Sequence, residues 1–365
     1  MSKSSVFSEL KLRGGWGQIG NISGVSEYSS FVLMGDDGST TLQNYENTDL
    51  TWETTTDLSI GLDIGLFKNR IRLTADAYKK TTVNLINSIN FPGVTTTLTY
   101  NAGKLENKGF ELSLNTVNFK GDFTWNTNFN ISFNKNKILE MGYEKIKYAG
   151  YQNVNRYEEG VPLGNFYGYV VDQVNPTTGV LEYKDLNGDG VITPQDRTII
   201  GNALPDYTFG FTNNFAYKGF FLDALFTGTQ GNDIFNASRI DLEGMRDSKN
   251  QSVAVLDRWQ QPGDITSMPK AGDPTANFVS DRWIEDGSYV RLKAVTIGYN
   301  FKSKFLALDS LKIYATGQNL VTWTNYSGFD PEVNAYSSNN GTSHGIDYGT
   351  YPQVRTFVFG LKAGF

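Results

Sequence analysis

Tyr351–Phe365 reads YPQVRTFVFGLKAGF. Counting back in twos from Phe365 puts Ala363, Leu361, Phe359 and Phe357 on one face, with Gly364, Lys362, Gly360, Val358 and Thr356 on the other. That is the period of a β-strand. Its apolar face is continuous for roughly 10 residues, the length a tilted strand needs to cross a bilayer. Free termini fray, so a strand that ends on an aromatic residue calls for pairing along its whole length. The stretch reads as the closing strand of a membrane barrel.

Nine more segments share the alternation. They are Glu9–Gln18, Thr55–Phe67, Arg70–Tyr78, Gly109–Asn118, Phe123–Asn134, Tyr207–Tyr217, Phe220–Phe226, Tyr289–Phe301 and Leu311–Asn319. In Thr55–Phe67, Leu58, Ile60, Leu62, Ile64 and Leu66 oppose Asp57, Ser59, Gly61, Asp63 and Gly65. In Phe123–Asn134, Phe129, Ile131 and Phe133 alternate with Asn128, Asn130, Ser132 and Asn134. A soluble sandwich also alternates. Here, however, the polar faces are Asn, Thr, Ser and Gly rather than Lys and Glu, and aromatics gather at strand ends such as Tyr299 and Phe301. Both traits suit a barrel with a wet lumen and interfacial girdles. Connection lengths alternate strictly between short (Lys68–Asn69, Phe119–Gly121, Lys218–Gly219, Lys302–Asp309) and long, the longest being Lys135–Pro205. Tight turns at one rim and long external loops at the other are the pattern of an up-and-down barrel. The expected fold is all-β: about ten antiparallel strands of a large transmembrane barrel, filling residues 1–365.

Composition agrees. The 365 residues hold 24 Phe, 20 Tyr, 6 Trp and 38 Gly, which favours strands and turns. A net charge of −6 argues against nucleic-acid binding. No run of about 18 apolar residues occurs, which excludes membrane helices but not barrel strands. With no cysteine and His344 as the single histidine, thiolate sites, multi-histidine zinc and Ser-His-Asp chemistry lack their parts. The opening MSKSSVFSELKLRGG has no apolar signal core, so the chain is expected to be the C-terminal part of a longer exported product. Glu9–Gln18 and Gln353–Phe365 are its edges. Open edges are very costly in lipid, so either they pair or about a dozen further strands lie upstream.

One motif carries metal chemistry. DLNGDGVITPQD, Asp185–Asp196, places Asp185, Asn187 and Asp189 at positions 1, 3 and 5, Gly190 at 6, the Val191 carbonyl at 7 and Asp196 at 12. That spacing wraps oxygens around a hard cation such as Ca²⁺, here a structural ion stiffening an external loop. Position 12 is Asp, with shorter reach than the usual Glu. An Asx/Gly turn without metal fits the same residues. TPQD also resembles a helix start, with Thr193 as cap. Gly15–Gly20 formally matches a dinucleotide fingerprint, but the Ser/Gly-rich segment after it is no helix. Acidic loop residues Glu158, Glu159, Asp241, Glu243, Asp281, Glu285 and Asp286 offer no preferred hydrolytic pair, and no enzymatic role is expected. Loop aromatics Tyr151, Tyr157, Phe166, Tyr167, Trp259, Trp323 and Tyr326 suit loop packing better than sugar stacking.

Longer segments carry a resemblance. LKLRGGWGQIGN (10–21), NAGKLENKGFELSL (101–114), EGVPLGNFYGY (159–169), the run from Asp185 to Phe220, DRWIEDGSYVRLKAVTIGYNF (281–301), IYATGQNLVTWTNYSGFDPEV (313–333) and PQVRTFVFGLKAGF (352–365) resemble successive landmarks of the SusC/RagA family of TonB-linked outer-membrane proteins. The resemblance implies a plugged barrel of about 22 strands in the outer membrane of a Bacteroidetes-type cell. It also implies nutrient import: a SusD/RagB-like lipoprotein lids the barrel, the substrate is an oligosaccharide or a peptide, and the TonB complex acts through N-terminal parts not found here. Loops Ala149–Pro205, Thr229–Asp286 and Val321–Gly349 would face lid and substrate, while outer-membrane lipid surrounds the strands. The alternative is a secreted, calcium-stabilised β-sandwich that binds glycans. A lipid-embedded photoprobe decides between them: it should label Leu62, Phe129 and Ile131 and spare Asp63, Asn128 and Asn130, whereas equal labelling of both sets removes the barrel.

Overall fold

The computed structural model describes residues 6–23, 33–34, 42–90, 96–301, 308–335 and 343–364. Ten antiparallel strands, in chain order, form the main sheet. They are β1 (Phe7–Asn21), β2 (Glu53–Leu66), β3 (Ile71–Val83), β4 (Lys104–Phe119), β5 (Phe123–Glu140), β6 (Tyr207–Tyr217), β7 (Phe220–Gln230), β8 (Tyr289–Phe301), β9 (Ser310–Thr324) and β10 (Thr356–Gly364). Each contains or overlaps one of the ten alternating segments. Phe365 lies outside the described residues. The chain divides into two compact units, Met1–Lys147 with Tyr157–Leu163, and Tyr148–Arg156 with Gly164–Phe365.

In the first unit the register turns alternation into rows. Leu12, Leu62, Ala75, Leu112 and Ile131 stand opposite one another across β1 to β5. One step along, on the other face, come Lys11, Asp63, Thr74, Ser113 and Asn130. The first row is apolar and the second polar, as a wall between hydrocarbon and water requires. On that polar face Arg13 reaches Asp63 and Asp76, both at 2.8 Å.

Burial is inverted relative to a soluble sandwich. Leu12 is 72% exposed, Leu58 57% and Ile60 56%. Most of the buried apolar residues, such as Val154, Phe166, Phe235, Ile240 and Trp283, lie instead in the connections. A sandwich would bury its apolar strand faces against a second sheet. Exposed rows of this kind fit lipid.

Within each unit, short turns join neighbouring strands. Lys218 and Gly219 both have positive φ (46° and 95°), as a two-residue hairpin between β6 and β7 demands. Phe67, Lys68 and Asn69 also take positive φ between β2 and β3. Aromatics cluster beside these turns. Phe119 stacks near Phe123 and Trp125 at 6.0 and 5.9 Å, and in the second unit Tyr299 meets Phe220 and Phe301 at 4.6 and 4.8 Å.

The strands overrun the sequence reading at their opposite ends. β4 starts at Lys104 rather than Gly109, β5 runs to Glu140 rather than Asn134, and β3 to Val83 rather than Tyr78. Pairing continues there although the outward positions turn polar, so hydropathy no longer alternates while the ladder does.

Four glycines sit directly opposite aromatic rings: Gly109 opposite Tyr78, Gly228 opposite Phe209, Gly298 opposite Phe221 and Gly360 opposite Tyr314. At each, a Cβ would fall inside the contact distance of that ring. The ring lies over the bare backbone and packs where no side chain can. Gly121 has open space around it. Gly109→Val in the intact protein is therefore expected to cost about 1–3 kcal/mol through overpacking, and Gly121→Ala to stay within about 0.5 kcal/mol of zero. The urea midpoint of the heat-modifiable gel shift measures both.

Candidate functional site

The long connections of the second unit fold into a body with its own core. Val154, Phe166, Phe235, Ala237, Ile240, Val279, Trp283 and Ile346 pack together, with Tyr151 against them. Short strands bind the layer: Asp233–Asn236 pairs antiparallel with Ile284–Asp286 and parallel with Ile346–Asp347. Distant loops therefore share backbone hydrogen bonds. A second cluster of Val174, Leu181 and Tyr183 takes in Trp259. The loop aromatics thus mainly pack loops. Phe166, Tyr157 and Tyr326 are buried. Tyr167 lies under Arg156 and Arg197, at 4.1 and 4.9 Å. Trp323 is the exception, on β9 and half exposed, stacked near Phe226 at 6.4 Å.

Two ionic clusters lock this layer. The helix Ser238–Glu243 presents Arg239, whose guanidinium meets Glu243 at 2.8 Å and Glu285 at 3.1 Å. Glu285 also accepts from the Ser327 amide and hydroxyl, both at 2.8 Å, and from Asn236 at 3.0 Å. Burial pushes the Glu285 carboxyl up, but the Ser327 donors and Arg239 outweigh it and hold the group below its usual range. The Arg282 pKa is also lowered, by burial, with Glu243 only partly offsetting this.

The second cluster centres on Arg291 of β8, which is 1% exposed. Its nitrogens reach Asp330 at 2.7 Å, Glu332 at 3.1 Å and the Thr322 hydroxyl at 2.9 Å. Tyr289 donates to Glu332 at 2.7 Å, and the Gln353 amide donates to Asp330 at 3.1 Å. Simple alternation gives Arg291 the same face as Val295 and Ile297. It does not lie there. Between Leu225/Phe226 of β7 and Ala294/Leu292 of β8 the register shifts, leaving Lys293 as an extra residue. Such a bulge re-aims the side chains beyond it, so Arg291 turns away from the face where Ile297 is 57% exposed. The sequence reading missed this cluster. Its signal is an arginine inside a membrane strand, where a charge must find counter-charges.

Of the acidic residues singled out in the sequence, Glu243 and Glu285 share Arg239, and others are held by partners of their own. Glu159 meets Lys145 at 3.1 Å, and Asp241 meets Lys249 at 2.7 Å and the Tyr348 hydroxyl at 2.8 Å. Asp281 accepts the Val171 amide and Asp286 that of Ser288.

In Asp185–Asp196, the Asp185 carboxylate accepts the Gly188 and Gly190 amides, both at 2.7 Å. Asn187 Oδ1 accepts the Asp189 amide, and Asp189 accepts that of Val191, both at 2.9 Å. Asp196 is buried and takes the amides of Leu186 at 3.0 Å, Asn187 at 3.3 Å and Thr193 at 2.7 Å. Thr193 caps the 3₁₀ turn Pro194–Asp196 in a reciprocal box, as its sequence suggests. Among the described residues no three His, Cys, Asp or Glu side chains converge on one point. The loop's own donors hold it as found.

Beside the second cluster, Val171, Val174, Leu181, Ile265 and Ser267 line a cleft of about 410 Å³. Ile265 is 96% exposed, and in the same connection Val253 and Leu256 are 82% and 67% exposed.

Residues 5–320 match the family model described as TonB dependent receptor-like, β-barrel. Over its whole length the chain is 34% identical to TonB-dependent receptor P3 of Formosa agariphila, covering 40% of that protein. Over 99% of its length it is 28% identical to TonB-dependent receptor SusC of Bacteroides thetaiotaomicron, covering 38%. Among solved structures, that of the RagAB peptide transporter superposes with a TM-score of 0.85 at 24% identity, over all of this chain and 42% of that one, a likeness of fold. The chain thus spans about two fifths of the length of the relatives it matches. The apolar rows, the tight turns and this match agree: the chain belongs to the TonB dependent receptor-like β-barrel family, proteins of the outer membrane.

Proposed function

We propose that this chain is the C-terminal barrel part of a TonB-linked importer that takes up an oligosaccharide or a peptide, and that a SusD-like lipoprotein docks on its loop layer. The observation that carries the reading is the loop layer of the second unit. It has a packed core and two ionic locks, yet leaves Val253, Leu256 and Ile265 bare. Rigid support beneath exposed apolar side chains is what a protein partner's hot spot needs. The loop carboxylates are tied up in ion pairs and amide contacts, which favours binding and passage over bond cleavage. Coupling to the TonB complex belongs to parts of the full-length protein outside this chain. Val253→Asp with Leu256→Asp and Ile265→Asp, in the full-length protein, should weaken co-purification of the lipoprotein by at least about 10-fold and slow nutrient uptake. Unchanged capture removes this docking surface.

We also propose Ca²⁺ as a ligand of Asp185, Asn187, Asp189, Val191 and Asp196. The oxygen-rich spacing supports it, and Asp185 and Asp189 are exposed, within reach of an ion from solvent. The Asp196 carboxyl is held below its usual range, first by the Thr193 amide and then by those of Asn187 and Leu186. Its folded pKa is thus depressed. The stability it adds is present above the ordinary Asp range near pH ~4 and is lost as pH falls through the folded value. Hydrogen-exchange protection at Leu186, Asn187 and Thr193 should therefore drop in acid below that range, and in Asp196→Asn should be low at every pH. Millimolar Ca²⁺ should raise the same protection at neutral pH and a chelator reverse it. With no response to Ca²⁺, the loop is an Asx turn alone.

A further inference from the structure

At the end of the first unit away from the tight turns, the outward face changes character within one step of register. Gly14, Ile60, Ala77, Phe110 and Phe133 form its uppermost wholly apolar row. The next row is Trp16, Leu58, Lys79, Lys108 and Lys135, and above it stand Gln18, Thr56, Thr81, Glu106 and Lys137. All four lysines are exposed. Lys79 pairs with Glu106 at 2.8 Å. Four lysines against one glutamate leave these two rows at +3, in a chain whose net charge is −6.

Like charges directly opposite on a sheet destabilise it. Lys79, Lys108 and Lys135 are opposed in just this way. Lys108, Phe110, Phe133 and Lys135 line a pocket of about 320 Å³, so two cations and two rings face the same space. Next to it an open groove of about 880 Å³ runs along Leu12, Trp16, Leu58, Ile60 and Ala77. The position also matters. From Trp125 to Phe133 the outward side of β5 covers eight steps of about 3.4 Å, which at a tilt of about 40° is roughly 20 Å of a band about 25 Å tall. The lysine row therefore meets the headgroups. Long connections mark this end as the external one, so these are headgroups of the outer leaflet.

We propose that this face holds a phosphorylated lipid of the outer leaflet. Its phosphate sits between Lys108 and Lys135, with Lys79 and Lys137 beside it, and its acyl chains lie in the apolar groove below. The anion relieves the repulsion along the lysine row, and the groove accounts for a lipid rather than a soluble phosphate. The inference rests on the outward face meeting membrane.

The test uses the intact receptor in phosphatidylcholine nanodiscs, titrated with bisphosphorylated lipid A, with dephosphorylated lipid A and with inorganic phosphate. K108Q/K135Q is compared with K120Q/K218Q, which removes two lysines at tight turns. Bisphosphorylated lipid A should bind wild type and K120Q/K218Q alike, and K108Q/K135Q roughly 10- to 30-fold more weakly. Removing its phosphates should abolish the difference between variants, and inorganic phosphate should compete poorly. Equal binding to both double variants overturns the site, as does effective competition by inorganic phosphate. A photoprobe at Ile131 separates the two levels. Labelling of Ile131 with lipid A binding indifferent to K108Q/K135Q ends this proposal and leaves the membrane face standing. Without labelling of Ile131 the membrane face falls, and the proposal falls with it.

Discussion

Hydrocarbon offers a backbone N–H no partner, and each unpaired group there costs several kcal/mol. Everything else in this chain follows from meeting that demand with strands. Between β2 and β3 the register runs unbroken from Thr54 opposite Val83 to Leu66 opposite Ile71, and between β3 and β4 from Ile71 opposite Thr116 to Val83 opposite Lys104. In the first unit, shifts fall near strand ends, at Phe7/Glu9, Lys104/Leu105 and Val117/Phe119. Continuous pairing in turn fixes side-chain direction, because a slip of one residue would exchange the two faces. Leucine, isoleucine and phenylalanine rows outward, with asparagine, threonine and aspartate rows inward, are what hold each pair in place.

Two solvents therefore shape one chain. The strand faces carry apolar side chains that no protein core covers, and the apolar core lies in the connections, where water surrounds the loops and burial is what stabilises them. The two ionic clusters differ in where they sit. Arg239, Glu243 and Glu285 lie among loops, whereas Arg291 projects from a strand and is answered by Asp330 and Glu332 from the loop beyond β9.

How much of this was legible in the sequence depended on range. All ten strands showed through alternation and the rhythm of short and long connections, since both are local consequences of crossing a bilayer. Strand ends such as Lys104–Lys108 and Lys135–Glu140 were hidden because outward lysines break the hydropathy pattern without breaking the ladder. The parallel pairing of Phe235 with Ile346 left no local trace, being a contact between distant loops. The place of Arg291 was hidden for a different reason. Strict alternation groups it with Ile297, and only the extra residue at Lys293, visible in pairing rather than composition, turns it round. The Asp185–Asp196 spacing was plain, but spacing does not say whether oxygens accept amides or a cation. Asp185 and Asp196 accept backbone amides here, and the cation proposed above is a separate question that spacing leaves open.

The Arg291 cluster also shows why a costly arrangement is kept. Desolvating an arginine and a carboxylate is expensive, and removing one partner of such a pair typically costs about 3–5 kcal/mol because the other is stranded. An apolar set of equal volume could stabilise the same spot as well. It could not tie together what these hydrogen bonds tie. Asp330 takes Arg291 from β8, the Glu332 amide from its own turn and the Gln353 amide just before β10. Thr322 adds β9. Two consecutive strands and the two ends of the connection from β9 to β10 are thus gathered around one guanidinium. Because the bonds are directional, the loop cannot shift against the strand ends without breaking several at once. The loop layer that a partner would meet is accordingly fastened to the wall beneath it at a point of defined geometry, which a greasy contact would leave free to slide.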